Sequence, residues 1–558
     1  MIHSLIPVSK ARLASFVLGA LILSIQEVTA QASVNTKTKK SVEPINTKNN
    51  INAKDSLSAY TGEYAVSPSF VLTFKVINGE LAVVPPGQKP IPIIQIDDNI
   101  FADKNDKNVQ MEFLLNSSGS VKKVILSQHG EKMEAHRVKS TEHFNPHKMY
   151  SIEQLGADLK SMKTTLIENH PRPYEFTSKE TFEHSYDSLL TFINQPMNEI
   201  AFRYLLMPLV AKMHCGHTRI DPSTRFQRSK PGKFPPFVLY YEGKRAFVRY
   251  SANKDLSPGI EIKAINGIPI AERIQNLLTR TSGDGIHANV QYYLINQPMS
   301  WFTYEMPYWY DVDHYNLVVA DSTGQQRELD LTAVDESTFR KNISPPPQKQ
   351  QQLSLLENKK VATLSYPSFD FPDTSIRNNY LDETFTKLKT EGIEHLIIDL
   401  RGNGGGSPHN AAYFLRYLIQ HEFVYSEVAP LPELADLQKP ITPKENHFEG
   451  QIYVLIDGGC FSSTGHLLSL LKYHKIGTFV GETTSASYSC NTDGVPYTLP
   501  NTGLTLFCPK HIYETAVSGF RRADGMRPDY EIKQTFTDIL TRRDPVMEYA
   551  ILIAEKEK

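Results

Sequence analysis

Two short stretches carry residue types that could do chemistry together. The first is HLIIDLRGNGGGS, His395 to Ser407. An apolar run over Leu396–Leu400, interrupted by Asp399, leads straight into Arg401-Gly402-Asn403-Gly404-Gly405-Gly406-Ser407. Four glycines in five positions leave backbone N–H groups uncovered and free to take unusual dihedrals. A helical pattern follows through Ala411, Ala412, Phe414, Leu415, Tyr417, Leu418 and Ile419. A buried strand, a bare loop and a helix make an anion site at the carboxyl edge of a parallel sheet. The anion is either a stable phosphate or an oxyanion that exists only in a transition state. The second stretch is QIYVLI, Gln451–Ile456, which ends in Asp457-Gly458-Gly459-Cys460-Phe461-Ser462-Ser463-Thr464-Gly465 before a helix carrying Leu467, Leu468, Leu470 and Leu471. Ser462 or Ser463 therefore sits where a helix begins. An isolated Ser-Ser there reads as an N-cap. Beside a bare glycine loop on the same sheet edge, it reads as a nucleophile.

A serine hydroxyl needs a base to take its proton and donors where charge develops on the attacked carbonyl. RGNGGGS has no P-loop lysine and no GxSxG surrounds Ser462, which argues against a nucleotide enzyme or an esterase. LIIDLRGNGGG followed by YVLIDGGCFSSTG resembles the C-terminal processing and tricorn-type serine peptidases, the tail-specific proteases. The resemblance covers the second half of the chain and, more weakly, His170 to the end. It implies a ClpP/crotonase-like α/β catalytic domain with Ser462 as nucleophile. The Ser463 and Gly405 amides would form the oxyanion hole.

The C-terminal processing branch of that family uses a lysine about 25 residues after its serine. No lysine lies between Lys475 and Lys510, so a Ser-Lys dyad is not expected. The tricorn-type branch uses a distant histidine in a Gly-His-Thr-like turn, which His217 matches in Gly216-His217-Thr218. His214 is then structural, and His466 is a second choice as base. The acid of that branch precedes a Gly-x-x-Pro-Asp motif, here Gly525-Met526-Arg527-Pro528-Asp529. The aligned position holds Arg522, the nearest acid is Asp524, and Glu514 and Glu482 are alternatives. His214-Cys215-Gly216-His217 could suggest a metal, but no fourth ligand, CxxC or HExxH accompanies it. No metal or organic cofactor is expected.

Other elements must position these residues. MIHSLIPVSKARLASFVLGALILSIQEVTAQAS reads as a signal peptide over 1–30, with basic residues, an apolar stretch and a small-residue cleavage site near Ala30. That places the mature chain in the periplasm or outside the cell, with no retained transmembrane segment. Residues 31–56 read as a flexible linker. Residues 57–138, with short strand-like runs such as Phe70–Val76 and Val121–Leu126, read as a small all-β barrel or sandwich. It resembles the β-barrel module attached to bacterial hydrolases. Residues 150–228 read as helical and carry His217. Residues 229–335 resemble a PDZ-like domain, which would capture extended peptides by strand addition. The Asn266-Gly267 turn is equally a plain hairpin signal. The aromatics over Trp301–Tyr315 suit a peptide groove or a core. Ser344–Gln352 reads as a linker, and residues 353–558 as the catalytic domain.

The 558 residues predict several domains, and a net charge of -2 argues against nucleic-acid binding. Export permits disulfides among Cys215, Cys460, Cys490 and Cys508, and sequence alone does not choose among three pairings. If Ser462 and His217 share a site, a Cys215–Cys460 bridge would tie their segments, leaving Cys490 to pair with Cys508. Cys460 as a thiol nucleophile is the competing chemistry. The functional expectation is an exported serine endopeptidase acting on peptide or protein substrates. The alternative is an inactive peptidase-fold protein that binds peptide or lipid.

Overall fold

The computed structural model describes residues 57–556, apart from 68–69, 86–89, 105, 117–119, 129–130, 138–144, 146, 229–232, 287, 298–311, 343–348, 358–359, 372–373, 430 and 493. The expected leader and first linker lie outside the described residues, as do 301–311 of the aromatic run and most of the Pro- and Gln-rich segment. Contacts divide the chain into two compact units, Met1–Asn145 with Ser223–Ser229, and Pro146–Pro222 with Lys230–Lys558.

The first unit is a closed eight-stranded barrel. Gly62–Ser67 pairs antiparallel with both Phe70–Ile77 and Glu131–Arg137, which closes the ring. Alternating side chains along each strand point inward. The strand Val109–Leu115, for example, buries Val109, Met111 and Phe113. Tyr60, Tyr64, Phe74, Phe101 and Phe113 meet edge to face in the interior, with Phe74 and Phe113 centroids 5.0 Å apart. Closure removes the free edges that a sandwich would expose.

The second unit is built around a six-stranded sheet in the order Gln352–Leu355, Val361–Ser365, His395–Asp399, Gln451–Ile456, Thr478–Gly481 and Tyr530–Glu531. The first pair is antiparallel and the others are parallel. Gln352, expected in a linker, thus opens the first strand. Strand side chains alternate between two cores. Leu396, Ile398, Val454 and Ile456 pack with the helices Thr374–Thr390, Pro408–Leu415 and Ser463–Tyr473. Ile397, Tyr453, Leu455 and Val480 pack on the helix Pro545–Lys556. Burial on both faces explains the unbroken apolar runs, since each such side chain contributes about 1.5–3 kcal/mol.

The helices Ile152–Asn169, Lys179–Phe192 and Glu199–Ala211 form a layer whose core also takes Leu504, Leu506 and Cys508. Ser151 caps the first with a reciprocal capping box, and the Asn198 side chain caps the third. Buried Asp158 accepts hydrogen bonds from the amides of Asn501 and Thr502 and from Thr502 Oγ1. This anchors the turn that precedes the strand Thr505–Cys508. Residues 237–332 fold as a separate antiparallel sheet with its own core and the helices Ile270–Leu278 and Ala288–Ile295. Among the described residues, no helix is long and apolar enough to cross a membrane.

Candidate active site

The strand His395–Asp399 ends in a charge network that fixes where the glycine loop begins. Arg401 bonds Asp399 at 2.8 Å and Asp544 at 2.7 Å, and Lys349 reaches Asp399 at 3.0 Å. Burial alone would raise the Asp399 carboxyl, but Arg401 and Lys349 outweigh it and hold it at about 2. Asp457, at the end of the neighbouring strand, accepts from the amides of both Gly402 (2.8 Å) and Gly459 (2.9 Å). One carboxylate therefore joins the two glycine turns. Asn403 completes the scaffold. Its Nδ2 donates to Tyr366 O, its Oδ1 accepts from Gly405 N and Thr464 Oγ1, and its carbonyl accepts from Phe461 N.

Gly405 has φ +97°, and an added Cβ would lie 2.8 Å from both Phe461 O and Ser462 Cβ and 2.9 Å from Ser463 N. The two stretches singled out in the sequence thus meet without room for a methyl group. The Gly405 amide itself donates to Asn403 Oδ1 at 2.9 Å, so in this structure it does not point to an open site. Gly404 has open space around its Cα, and among the described residues no hydrogen bond engages its amide or that of Ser463. Ser463 turns its hydroxyl away, onto Gly406 O at 2.7 Å.

Ser462 stands at φ 51° and ψ −125°, immediately before the helix Ser463–Tyr473. A non-glycine residue held there is strained, and such strain concentrates at functional sites. Ser462 is half-buried, whereas Ser463 is buried. The Ser462 hydroxyl meets the Cys490 thiol, which lies 3.3 Å from His466 Nε2.

His217 reaches this region from a different layer. The helix Glu199–Ala211 ends in a turn where His214 adopts φ 45°, and the strand Arg219–Asp221 then pairs with Thr505–Cys508. The His217 ring stacks on Phe461, the neighbour of Ser462, with centroids 4.5 Å apart and planes at 30°. A Cβ on Gly216 would strike the Phe461 ring at 2.6 Å, so glycine is required for this approach. Burial, then Arg219 and Arg522, push the His217 pKa down to about 3. The imidazole is therefore neutral.

The nearest acid to this turn is one that the sequence reading missed. Asp284 Oδ1 accepts from Gly216 N at 2.8 Å. Its Oδ2 is buried without a partner, as is His217 Nδ1. Ligating atoms of Cys215, His217 and Asp284 all lie within 4.8 Å of one another. Burial raises the Asp284 pKa to about 6, against the pull of the Gly216 amide and Arg522. His214, expected to be structural, fastens the Asp284 loop. Its Nδ1 lies 3.0 Å from Gly285 O, and its carbonyl accepts from Gly285 N.

The acids anticipated from the sequence have other partners. Asp524 sits in a short 3-10 turn with its carboxylate 4.0 Å from Arg527. Glu514 is held below its usual range by Arg172, at 2.6 Å, and by Ser489, despite burial. Glu482 faces Lys533 at 3.6 Å. Arg522 is buried and bonded to Glu175. His466 is buried one turn into the helix, with its ring 4.7 Å from Tyr513 and its Nδ1 unpartnered.

The disulfide expectation is corrected, since all four cysteines are buried and free. Cys460 Sγ points back to Leu400 O at 3.1 Å, whereas Cys215 Sγ accepts from Asn491. Cys490 and Cys508 lie on strands of two different sheets. Burial and Asp457 raise the Cys460 thiol pKa well above its usual value, which removes the thiolate a cysteine nucleophile needs.

A cavity of about 270 Å³ lies behind these turns. Gly216 and Thr218, the neighbours of His217, line it, as do Gly404 and Phe461. Much of its remaining wall is apolar, with Met207, Val210, Ile220, Val290 and Leu294.

Residues 360–532 match the profile of peptidase family S41. No curated protein matches the chain. The structure of mature CPAF complexed with lactacystin is similar with a TM-score of 0.51 and 13% identity, over 72% of this chain and 98% of that one. The crystal structure of mature CPAF gives 0.52 and 14% over 72% and 96%. The tricorn protease gives 0.36 and 16% over 85% and 47%. At these identities the CPAF structures establish a shared fold.

Proposed function

We propose that the chain, whose residues 360–532 match peptidase family S41, is an exported serine endopeptidase cleaving extended peptides through an acyl-enzyme on Ser462. His217 takes the serine proton and returns it to the leaving amine. The observation that carries this reading is the stacking of His217 on Phe461, with Asp284 Oδ2 idle beside the ring. Asp284, rather than Asp524, then holds the imidazole and stabilises the imidazolium formed during attack. The neighbours found for His466, Cys490 and Tyr513, offer no carboxylate for that charge, which favours His217 as base.

The uncommitted amides of Gly404 and Ser463 are the donors for the developing oxyanion, in place of the Gly405 and Ser463 pair. The apolar cavity beside Gly404 and Phe461 suits a large apolar substrate side chain next to the scissile bond. The sheet over 237–332, with its helix Ile270–Leu278, fits a PDZ-like peptide-capturing domain. Export rests on the N-terminal sequence pattern, and the barrel serves as a docking or structural module.

The test is hydrolysis of a random peptide pool and of an unfolded protein by the purified mature chain. Internal cleavage with an apolar side chain at the scissile bond, lost in Ser462→Ala, supports the reading. Cleavage that persists in Ser462→Ala sinks it.

A further inference from the structure

Three donor side chains meet at the candidate base from two separate segments. Cys215 and His217 come from the turn after the helix Glu199–Ala211, and Asp284 comes from the Thr281–Gly285 loop. We propose that Cys215, His217 and Asp284 form a site for Zn²⁺ or a similarly thiophilic divalent cation, and that its occupancy switches the peptidase off. The inhibitory half of this proposal rests on the catalytic reading of His217, whereas the site itself rests on its donors.

The geometry is close to what the ion requires. Zinc bonds of about 2.0–2.3 Å in a tetrahedron place ligand atoms roughly 3.5 Å apart. Here the thiol sulfur, an imidazole nitrogen and a carboxylate oxygen lie within 4.8 Å of one another. Among the described residues, this is the one group of three such donors. Small rotations of side chains close the remaining gap.

Two of the donors each keep one polar atom unpartnered. Asp284 Oδ2 and His217 Nδ1 are buried with no hydrogen-bond partner. A buried polar atom left unsatisfied destabilises the fold. A cation satisfies both at once.

The backbone around the donors is already fixed. Asp284 Oδ1 holds the Gly216 amide at 2.8 Å, and Ser282 Oγ donates to Cys215 O at 2.7 Å. Gly285 is bonded to His214 twice. The two segments therefore present their donors as one preorganised unit.

The donor set also selects the ion. Sulfur, nitrogen and oxygen together suit zinc and not calcium or magnesium, which take oxygen ligands. With three protein ligands, the fourth position falls to water. Gly216, Thr218, Ser282 and Gly283 line the adjoining cavity, which can supply both the water and a route for the ion.

The effect on catalysis follows from the imidazole's two nitrogens. A cation on Nδ1 leaves the ring proton on Nε2. That nitrogen can then no longer accept the proton of Ser462. Asp284 is withdrawn at the same time, because its free oxygen is bound to the ion. On binding, Cys215 gives up its thiol proton to bulk water. No bond to Ser462 is needed.

The experiment is a Co²⁺ titration of the purified, reduced, full mature chain, followed by absorption spectroscopy. In parallel, fluorophosphonate labelling is measured with Zn²⁺ and with Zn²⁺ followed by a chelator. The expected result is one Co²⁺ per chain with a thiolate-to-cobalt charge-transfer band that Zn²⁺ bleaches, and labelling that Zn²⁺ blocks and the chelator restores. Cys215→Ser loses the band and needs at least ~100-fold more Zn²⁺ to block labelling, the upper end of what even an outer-shell change costs. It keeps its metal-free labelling and loses the Zn²⁺-induced rise in thermal midpoint seen in the wild type.

A missing charge-transfer band overturns the site, and so does Zn²⁺ inhibition unchanged in Cys215→Ser. A cobalt band without any labelling of the metal-free wild type keeps the site, but it overturns the switch together with the peptidase reading. If Cys215→Ser does not fold, Asp284→Asn is read through its cobalt spectrum and Co²⁺ affinity, which must change if the carboxylate is a ligand.

Discussion

The two halves of the candidate active site are held in opposite ways. On the nucleophile side, Asn403 and Asp457 bond across both glycine turns, and Gly405 fits against Ser462 with no space to spare. On the base side, the backbone is equally well fastened, but His217 Nδ1 and Asp284 Oδ2 are left buried without partners. The first arrangement is rigid before substrate arrives and leaves the Gly404 and Ser463 amides open. The second keeps unsatisfied polar atoms, which cost stability and persist where they serve a function. Transition-state charge on the carbonyl oxygen needs donors fixed in advance, whereas a base must change its bonding during each turnover.

The comparison breaks most directly at Ser462. Ser462→Ala should lower turnover by about 10⁶-fold, the scale at which loss of the nucleophile removes an acyl-enzyme route. Steady-state hydrolysis of a peptide found in the pool screen measures this. A fall of only tenfold would move the chemistry to another residue.

On the base side, Asp284→Asn should reduce kcat by up to about 10⁴-fold with KM little changed, because the amide favours the wrong imidazole tautomer. A loss confined to KM would make Asp284 a substrate-binding residue. On the nucleophile side, Gly405→Ala should cost about 10²–10³-fold in kcat by displacing the oxyanion donors. Near-wild-type turnover would show that the glycine loop yields more readily than its packing implies.

The pillar beneath the loop should respond in stability. Arg401→Met leaves buried Asp399 short of its main partner and should destabilise the fold by about 3–5 kcal/mol. Because Asp399 is held at about 2, below the unfolded carboxylate value of about 3.9, its contribution is complete above about pH 5 and is lost as pH falls through about 2. Denaturant titrations of wild type and Arg401→Met should therefore converge over that window. A constant gap would assign the stabilisation to packing. The smallest effect is expected at Asp524, which faces Arg527 near the surface. Asp524→Asn should change kcat/KM by less than about twofold, and a larger loss would restore Asp524 as the third member.

The same contrast explains what the sequence made legible. The nucleophile side is written locally, in a strand, four glycines and a helix, then a second strand ending at Ser462. Strand periodicity and glycine chemistry suffice to read it. The three helices before His217 and the β module were legible for the same reason, although only register could distinguish a barrel from a sandwich. Asp284 was not legible. It lies in Thr281-Ser282-Gly283-Asp284-Gly285, which reads as a turn, and it reaches His217 only because His214 and Gly216 bind that loop. The cysteine pairing failed on side-chain direction. Cys460 precedes Ser462 by two residues, but its sulfur faces the sheet end at Leu400 and not the base.

The central claim is that Ser462 is activated by His217. The most direct test is fluorophosphonate labelling of the purified mature chain in the presence of a metal chelator, with the modified residue identified by mass spectrometry. The account predicts a single adduct on Ser462 that disappears in His217→Ala and survives in Ser463→Ala. An adduct on any other residue, or one on Ser462 that persists in His217→Ala, would contradict it.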